Sequence, residues 1–220
     1  MSPPQRGTWQ GSLILTWLLQ ATAVPNVTVR PLPETCASYP GYDSATGIAG
    51  PFNVSAYATG QPIDGLQFVP KFAVAAGGGA WGFMTIPLDD AVHDPATPMR
   101  CGGHASLQAQ LDMGAAAGGA LWQDLVAAGT PGESVLGFNL APLPDPNYII
   151  EPYAHAIDGI QQPGVFIGAL NVTTWGFNYE NSTETGEYYF LRLLGPNSHN
   201  MATGEQLNPG EFTGFIKVDL

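Results

Sequence analysis

The chain has 220 residues, a formal charge of −12 and only 11% charged residues. Six lysines and arginines are too few for the basic patches that nucleic acid or an anionic membrane surface requires, so neither is expected as a partner. The length suits one domain, and 28 glycines with 20 prolines favour short elements broken by turns.

The first residues are set apart. Arg6 gives a weakly basic start, Leu13–Leu19 a short apolar run, and Ala21-Thr22-Ala23 a small-x-small cleavage pattern. This predicts a signal peptide over 1–23, cleavage before Val24, and a domain over 24–220. The apolar run is too short to span a bilayer. The Pro-rich Val24–Glu34 segment reads as an extended arm. Strands are then predicted near Gly50–Ala58, Leu66–Ala76, Trp81–Leu88, His104–Met113, Leu121–Ala127, Val135–Leu140, Tyr148–Ile157, Val165–Tyr179, Glu187–Leu194 and Phe212–Asp219. The clearest is Leu107-Gln108-Ala109-Gln110-Leu111-Asp112-Met113, whose strict alternation gives one apolar and one polar face. Ala120–Ala128 is ambiguous, with a short helix as the alternative to the strand. With about ten strands and no 3.6-residue period, the fold class is all-β, a single-domain antiparallel β-barrel or sandwich.

Four N-x-S/T sequons, at Asn26, Asn53, Asn171 and Asn181, agree with export and mark glycosylation positions. Export also predicts that the two cysteines, Cys36 and Cys101, form a disulfide. The expected location is the secretory pathway or outside the cell. His93 and His104 lack the further ligands that a metal site needs, so no metal is expected. The glycine runs at Gly77–Gly79 and Gly114–Ala120 do not sit between a strand and a helix, as phosphate-cradling loops do. No G-x-S-x-G or H-E-x-x-H motif is present, and no cofactor is expected.

Sequons also set faces. A glycan on Asn53 turns Ser55 and Tyr57 outward and Phe52, Val54 and Ala56 inward. The same logic at Asn171 puts Phe166, Leu170 and Val172 inside. It turns Trp175 outward unless the strand bends near Thr173–Gly176.

Candidate chemistry follows from the same patterning. Ile149, Glu151, Tyr153, His155 and Ile157 share one strand face, which would be either a polar solvent face or a row of acid–base groups in a lumen. Arg192, in Phe190-Leu191-Arg192-Leu193-Leu194, needs a partner or a ligand anion unless it snorkels. With Arg192 inward, Tyr188 and Phe190 also line the interior. Lys71 invites the same pair of readings. Trp81, Trp122 and Trp175 would line an apolar site or fill the core.

The head Cys36-Ala37-Ser38-Tyr39-Pro40-Gly41-Tyr42-Asp43, with Thr46-Gly47-Ile48-Ala49-Gly50-Pro51-Phe52 and Ile63-Asp64-Gly65-Leu66, resembles a group of small secreted fungal β-barrel glycoproteins. That group includes the hetero-Diels–Alderases of tropolone–sesquiterpenoid biosynthesis. The resemblance implies a cofactor-free pericyclase that joins a tropolone-derived quinone methide to a humulene-type alkene, with an apolar small molecule as partner. His155 or Tyr153 would then assist loss of water, and Arg192 or Lys71 would polarise the tropolone oxygens. Trp81, Trp122, Trp175, Phe190 and Tyr188 would hold the hydrocarbon. The alternative is a lipocalin-like carrier or secreted effector without catalysis, and a weaker one a glycan-active protein. Oligomeric state stays open, a homodimer included.

Overall fold

A computed structural model describes residues 27–74, 80–88, 97–112, 119–129, 136–140, 146–182, 186–196, 198–200 and 203–219. The expected signal segment, Asn26, His93 and the glycine run 77–79 lie outside the described residues. Among the described residues sixteen strands are present: β1 (Val27–Pro31), β2 (Tyr42–Asp43), β3 (Ile48–Tyr57), β4 (Val69–Val74), β5 (Ala80–Pro87), β6 (Met99–Cys101), β7 (Leu107–Asp112), β8 (Ala120–Ala128), β9 (Leu136–Leu140), β10 (Asn147–Ile149), β11 (Glu151–Ile157), β12 (Ile160–Gln161), β13 (Val165–Gly168), β14 (Trp175–Ser182), β15 (Gly186–Leu193) and β16 (Phe212–Asp219). They form one antiparallel sheet, so the fold is all-β.

The pairings return on themselves. Strand β3 pairs β6, then β7, β8, β9, β15, β14 and β16 follow in turn, and β16 pairs β3 again. A sheet that closes in this way leaves no unpaired edge in the ring. Strand β4 joins through β5, which itself bonds β9 and β15. Strands β13, β11 and β1 extend from the C-terminal half of β16 as a flanking sheet.

Period-two patterning fixes what faces inward. Phe52, Val54 and Ala56 of β3, Leu107, Ala109 and Leu111 of β7, Trp175 and Phe177 of β14, Leu191 and Leu193 of β15, and Ile216 and Val218 of β16 share one buried core. Phe138 packs on Trp175 at 5.5 Å and on Phe68 at 6.1 Å, with tilted and edge-on rings. A second, smaller cluster lies on the opposite face of the flanking sheet: Tyr153, Phe166 and Phe215, with Val27, Val29 and Tyr57 against it.

Several expectations are corrected. The run Val165–Tyr179 is two strands, because Ala169 and Val172 exchange backbone hydrogen bonds of 3.0 and 2.9 Å around a tight turn. Leu170 and Asn171 adopt left-handed backbone there, and Leu170 is 43% exposed rather than inside. A Cβ at Gly168 would fall on the Val172 carbonyl, so glycine makes this turn. The break restores the phase that buries Trp175. The run Tyr148–Ile157 splits at Ile150: β10 bonds β8, whereas β11 bonds β1 and β13. The expected arm contains β1, and His104 stands in a 3-10 turn ahead of β7 rather than in the strand. Ser55, expected outside, is buried and donates to Asp219.

The Cys36–Cys101 disulfide is formed, both cysteines are buried, and it ties the turn at Cys36–Ser38 to β6. It closes 65 residues of chain. Replacing both cysteines with alanine is expected to lower the unfolding free energy in urea by about 4 kcal/mol, from lost loop-closure entropy. A change below about 1 kcal/mol would refute this account.

Candidate functional site

The sequence-selected residues do not converge on one place. Lys71 is half-buried on β4, paired across the ladder with Phe83 on the outer face of the ring. Tyr188 and Phe190 share that face and pack on Phe83 at 5.7 and 5.5 Å. Trp122 also faces outward, under the Arg100 guanidinium at 4.2 Å. Arg100 bonds Gln108, and Gln108 bonds Asp124, so a polar ladder runs beside it. Trp175 is inside, its indole N–H donating to the Ile167 carbonyl at 2.9 Å. The Trp81 side chain lies outside the described residues. Of the sequon asparagines, Asn53 is half-buried on β3, and Asn171 and Asn181 are exposed.

Arg192 is 2% exposed and does not snorkel. Its Nε and Nη2 grip the Glu211 carboxylate in a fork, and Nη2 also donates to the Gln206 carbonyl at 2.8 Å. Glu211 Oε2 accepts the Asn208 backbone N–H as well. Gly176 makes room, since a Cβ there would strike the Glu211 carboxylate. This pair fastens the segment 205–211 onto β14 and β15. Its partner is 19 positions away in irregular chain, beyond the reach of strand-period reasoning.

Tyr153 and His155 do meet, in the flanking sheet. The Tyr153 hydroxyl donates to Glu151 and accepts the Asn171 backbone N–H at 2.9 Å. Burial, and then the bonded carboxylate, raise its pKa far above the phenol range. His155 is buried, stacked on Phe166 at 3.8 Å and met edge-on by Phe215 at 4.8 Å. Burial lowers its pKa to about 4.

A cleft of about 420 Å³ opens beside this cluster, within the range of small-molecule sites. Three segments line it: Ser38, Tyr39 and Pro40; Pro163, Gly164 and Val165; and Lys217, Val218 and Asp219. Lys217 Nζ lies 3.3 Å from Asp219 and 5.1 Å above the Tyr57 ring. Asp219 is steadied in turn by Ser55. Gly164 has a positive φ, and a Cβ on it would meet Lys217 Cε at 2.7 Å, so glycine lets the lysine stem lie along the wall. Tyr39 stacks on Phe52 at 5.6 Å, and its buried hydroxyl has no hydrogen-bond partner among the described residues. Burial, aided by the Glu151 carboxylate, raises that hydroxyl's pKa well above the usual phenol value. Among the described residues no cluster of metal ligands occurs.

Sequence reasoning did not single out Lys217, Asp219 or Gly164. The available signal was one of five cations in 24–220, set at an alternating position of the last strand. Glu211→Gln is expected to cost about 3–5 kcal/mol in unfolding free energy, because it leaves the Arg192 charge buried without its counter-ion. Arg192→Met with Glu211→Gln should recover much of that loss, and no recovery in urea titrations would contradict the ion-pair account. No protein-family model matches this chain, and no curated protein matches it at significant similarity.

Proposed function

We propose that the protein is a secreted, glycosylated pericyclase of the hetero-Diels–Alder type that uses the Lys217 cleft as its reaction site. The observation that carries this reading is the make-up of the cleft. Ser38, Tyr39 and Pro40, from the head that carries the family resemblance, line it together with a cation, Lys217. Pro40, Pro163, Val165 and Val218 supply apolar surface for a hydrocarbon. A concerted cycloaddition needs no covalent intermediate, so a shaped cavity that favours one approach supplies most of the help. Lys217, oriented by Asp219, would stabilise negative charge on the ring oxygens of the tropolone partner. That role replaces the one first given to Arg192, whose guanidinium is engaged by Glu211. The formed disulfide supports an oxidising, exported setting.

A second reading, a carrier without turnover, is favoured by two features. Lys217 is already paired with Asp219, and neither Tyr153 nor His155 lines the cleft. Such a protein would capture ligand stoichiometrically.

Incubating the full chain's secreted product with a hydroxymethyl-tropolone precursor and humulenol is expected to give one stereoisomer, resolved by chiral chromatography. Lys217→Met should slow product formation at least about tenfold while the fold is kept. A product mixture identical to the protein-free control would sink the catalytic reading. Tight one-to-one binding of the precursor in that same case would establish the carrier.

A further inference from the structure

His155 combines three observations that no catalytic role requires. Its ring is buried, it is stacked on Phe166 and met edge-on by Phe215, and both nitrogens lack a hydrogen-bond partner among the described residues. A neutral imidazole tolerates such a site as a flat aromatic body. An imidazolium needs two acceptors, and no described residue accepts from either nitrogen. Attraction of the cation to the two ring faces and edges returns less than the hydration it gives up.

The position of the ring gives this chemistry a mechanical consequence. His155 lies directly opposite Val29 in the β1–β11 ladder. Strand β1 has β11 as its strand neighbour in the sheet order and sits at the end of that order. Beyond the ladder it is held by Leu32, whose N–H donates to the Pro152 carbonyl at 2.9 Å, and by Val27 and Val29 resting on the aromatic cluster. A short end strand of this kind opens before the ring does. The same cluster reaches the cleft. Phe166 meets Tyr57 at 5.5 Å, Tyr57 carries the Lys217 ammonium at 5.1 Å, and Phe166 is the ladder partner of Lys217.

We propose that His155 is an acid-sensitive latch: a proton on its ring breaks the aromatic cluster, frees β1, and unseats Lys217 in the cleft. The effect on the cleft rests on the proposed role of that site; the release of β1 does not. The charged groups on the same sheet face are Glu151 from β11 and Lys217 and Asp219 from β16, with the phenols of Tyr57 and Tyr153, and Glu34, past the end of β1, acts on Tyr153. Strand β1 contributes only Val27, Val29 and Pro31 there, and β13 contributes Phe166. Lys217 opposes a second cation at the cluster. Glu151, the carboxylate on the same strand, is occupied by the Tyr153 hydroxyl.

The sign follows from burial, which depresses the folded value from 6.5 to about 4. The opened state binds the proton more strongly, so the latch holds fully above about pH 6.5 and weakens as pH falls toward 4. Between pH 7 and pH 5 the opening equilibrium of β1 should rise about 20-fold.

Hydrogen exchange read by mass spectrometry, corrected for intrinsic rates and run without ligand, tests this. Wild-type peptides over Val27–Pro31 should lose protection about 20-fold between pH 7 and pH 5. Peptides over Val165–Gly168 and Phe215–Asp219 should follow. His155→Phe, which keeps a ring in the stack but cannot titrate, should abolish the pH dependence; His155→Leu serves if that variant does not fold. Equal wild-type protection at both pH values overturns the latch, as does an unchanged acid response in the variant. Opening of β1 with the cleft strands unaffected overturns the coupling to Lys217. None of these outcomes depends on turnover, so failure of the pericyclase reading would be seen separately.

Discussion

Strand β16 divides its hydrogen bonds three ways, and the arrangement of the other strands depends on that division. Along one edge, Phe215–Asp219 pairs with Tyr57–Asn53 of β3. Along the other, Phe212–Gly214 pairs with β14, and Lys217 and Val218 pair with β13. The β3 contact closes the ring, the β14 contact carries it onward, and the β13 contact launches the flanking sheet. Because the pairing partners of β16 come from the first and last thirds of the chain, closure is a long-range event that local propensity cannot supply. The Cys36–Cys101 bridge acts in the same sense, joining the head of the chain to β6 beside β3.

Closure also explains why polar groups are buried on the outer face of the sheet. The inner face of β14, β15 and β16 is committed to the main core through Trp175, Phe177, Leu191, Leu193, Ile216 and Val218. The alternate residues of those strands must therefore point away from it. Arg192 is one such residue, and the loop carrying Glu211 lies over it. Phe215 and Lys217 are others, and the flanking sheet with Tyr57 gives them neighbours. The two solutions differ in kind. Arg192 keeps its charge and is matched by a carboxylate, whereas His155 gives up its charge and is matched by rings. Breaking the first leaves an unpaired ion; charging the second creates one.

Much of the strand layout was legible because alternation is a local signal. Leu107–Leu111 reads apolar-polar-apolar in sequence and is buried in that same alternation, and Phe212–Asp219 matches its strand end to end. The misses share a cause. Ile150 and the Ala169–Val172 turn interrupt stretches whose composition still looks like strand, because the break is set by a change of pairing partner. Met99–Cys101 is too short for a period to show, and β1 is a strand only because β11 offers it an edge. At the candidate site, Arg192 was legible as a residue in need of a partner, but the partner was not, since Glu211 arrives from a loop. Lys217 escaped notice because nothing in Phe-Ile-Lys-Val-Asp distinguishes a cleft lining from a solvated edge.

The cleft takes its character from where three distant segments meet. Ser38–Pro40 is placed by the disulfide-tied turn, Pro163–Val165 by the β12–β13 connection, and Lys217–Asp219 by the last strand. Ser38 and Tyr39 end only a single 3-10 turn, too short to concentrate a backbone dipole, and the other two segments are connection and strand. Selectivity must come from the shape of the apolar walls and from one lysine whose direction is set by Asp219 below and Tyr57 beneath its ammonium. A lysine held by a carboxylate and an aromatic ring has its Nζ set at a fixed point. Such a site suits orienting a polarised, largely apolar molecule more than cleaving one. The sparing use of charge along the chain limits the competition for that ammonium to Asp219, which a ligand oxygen must share or displace.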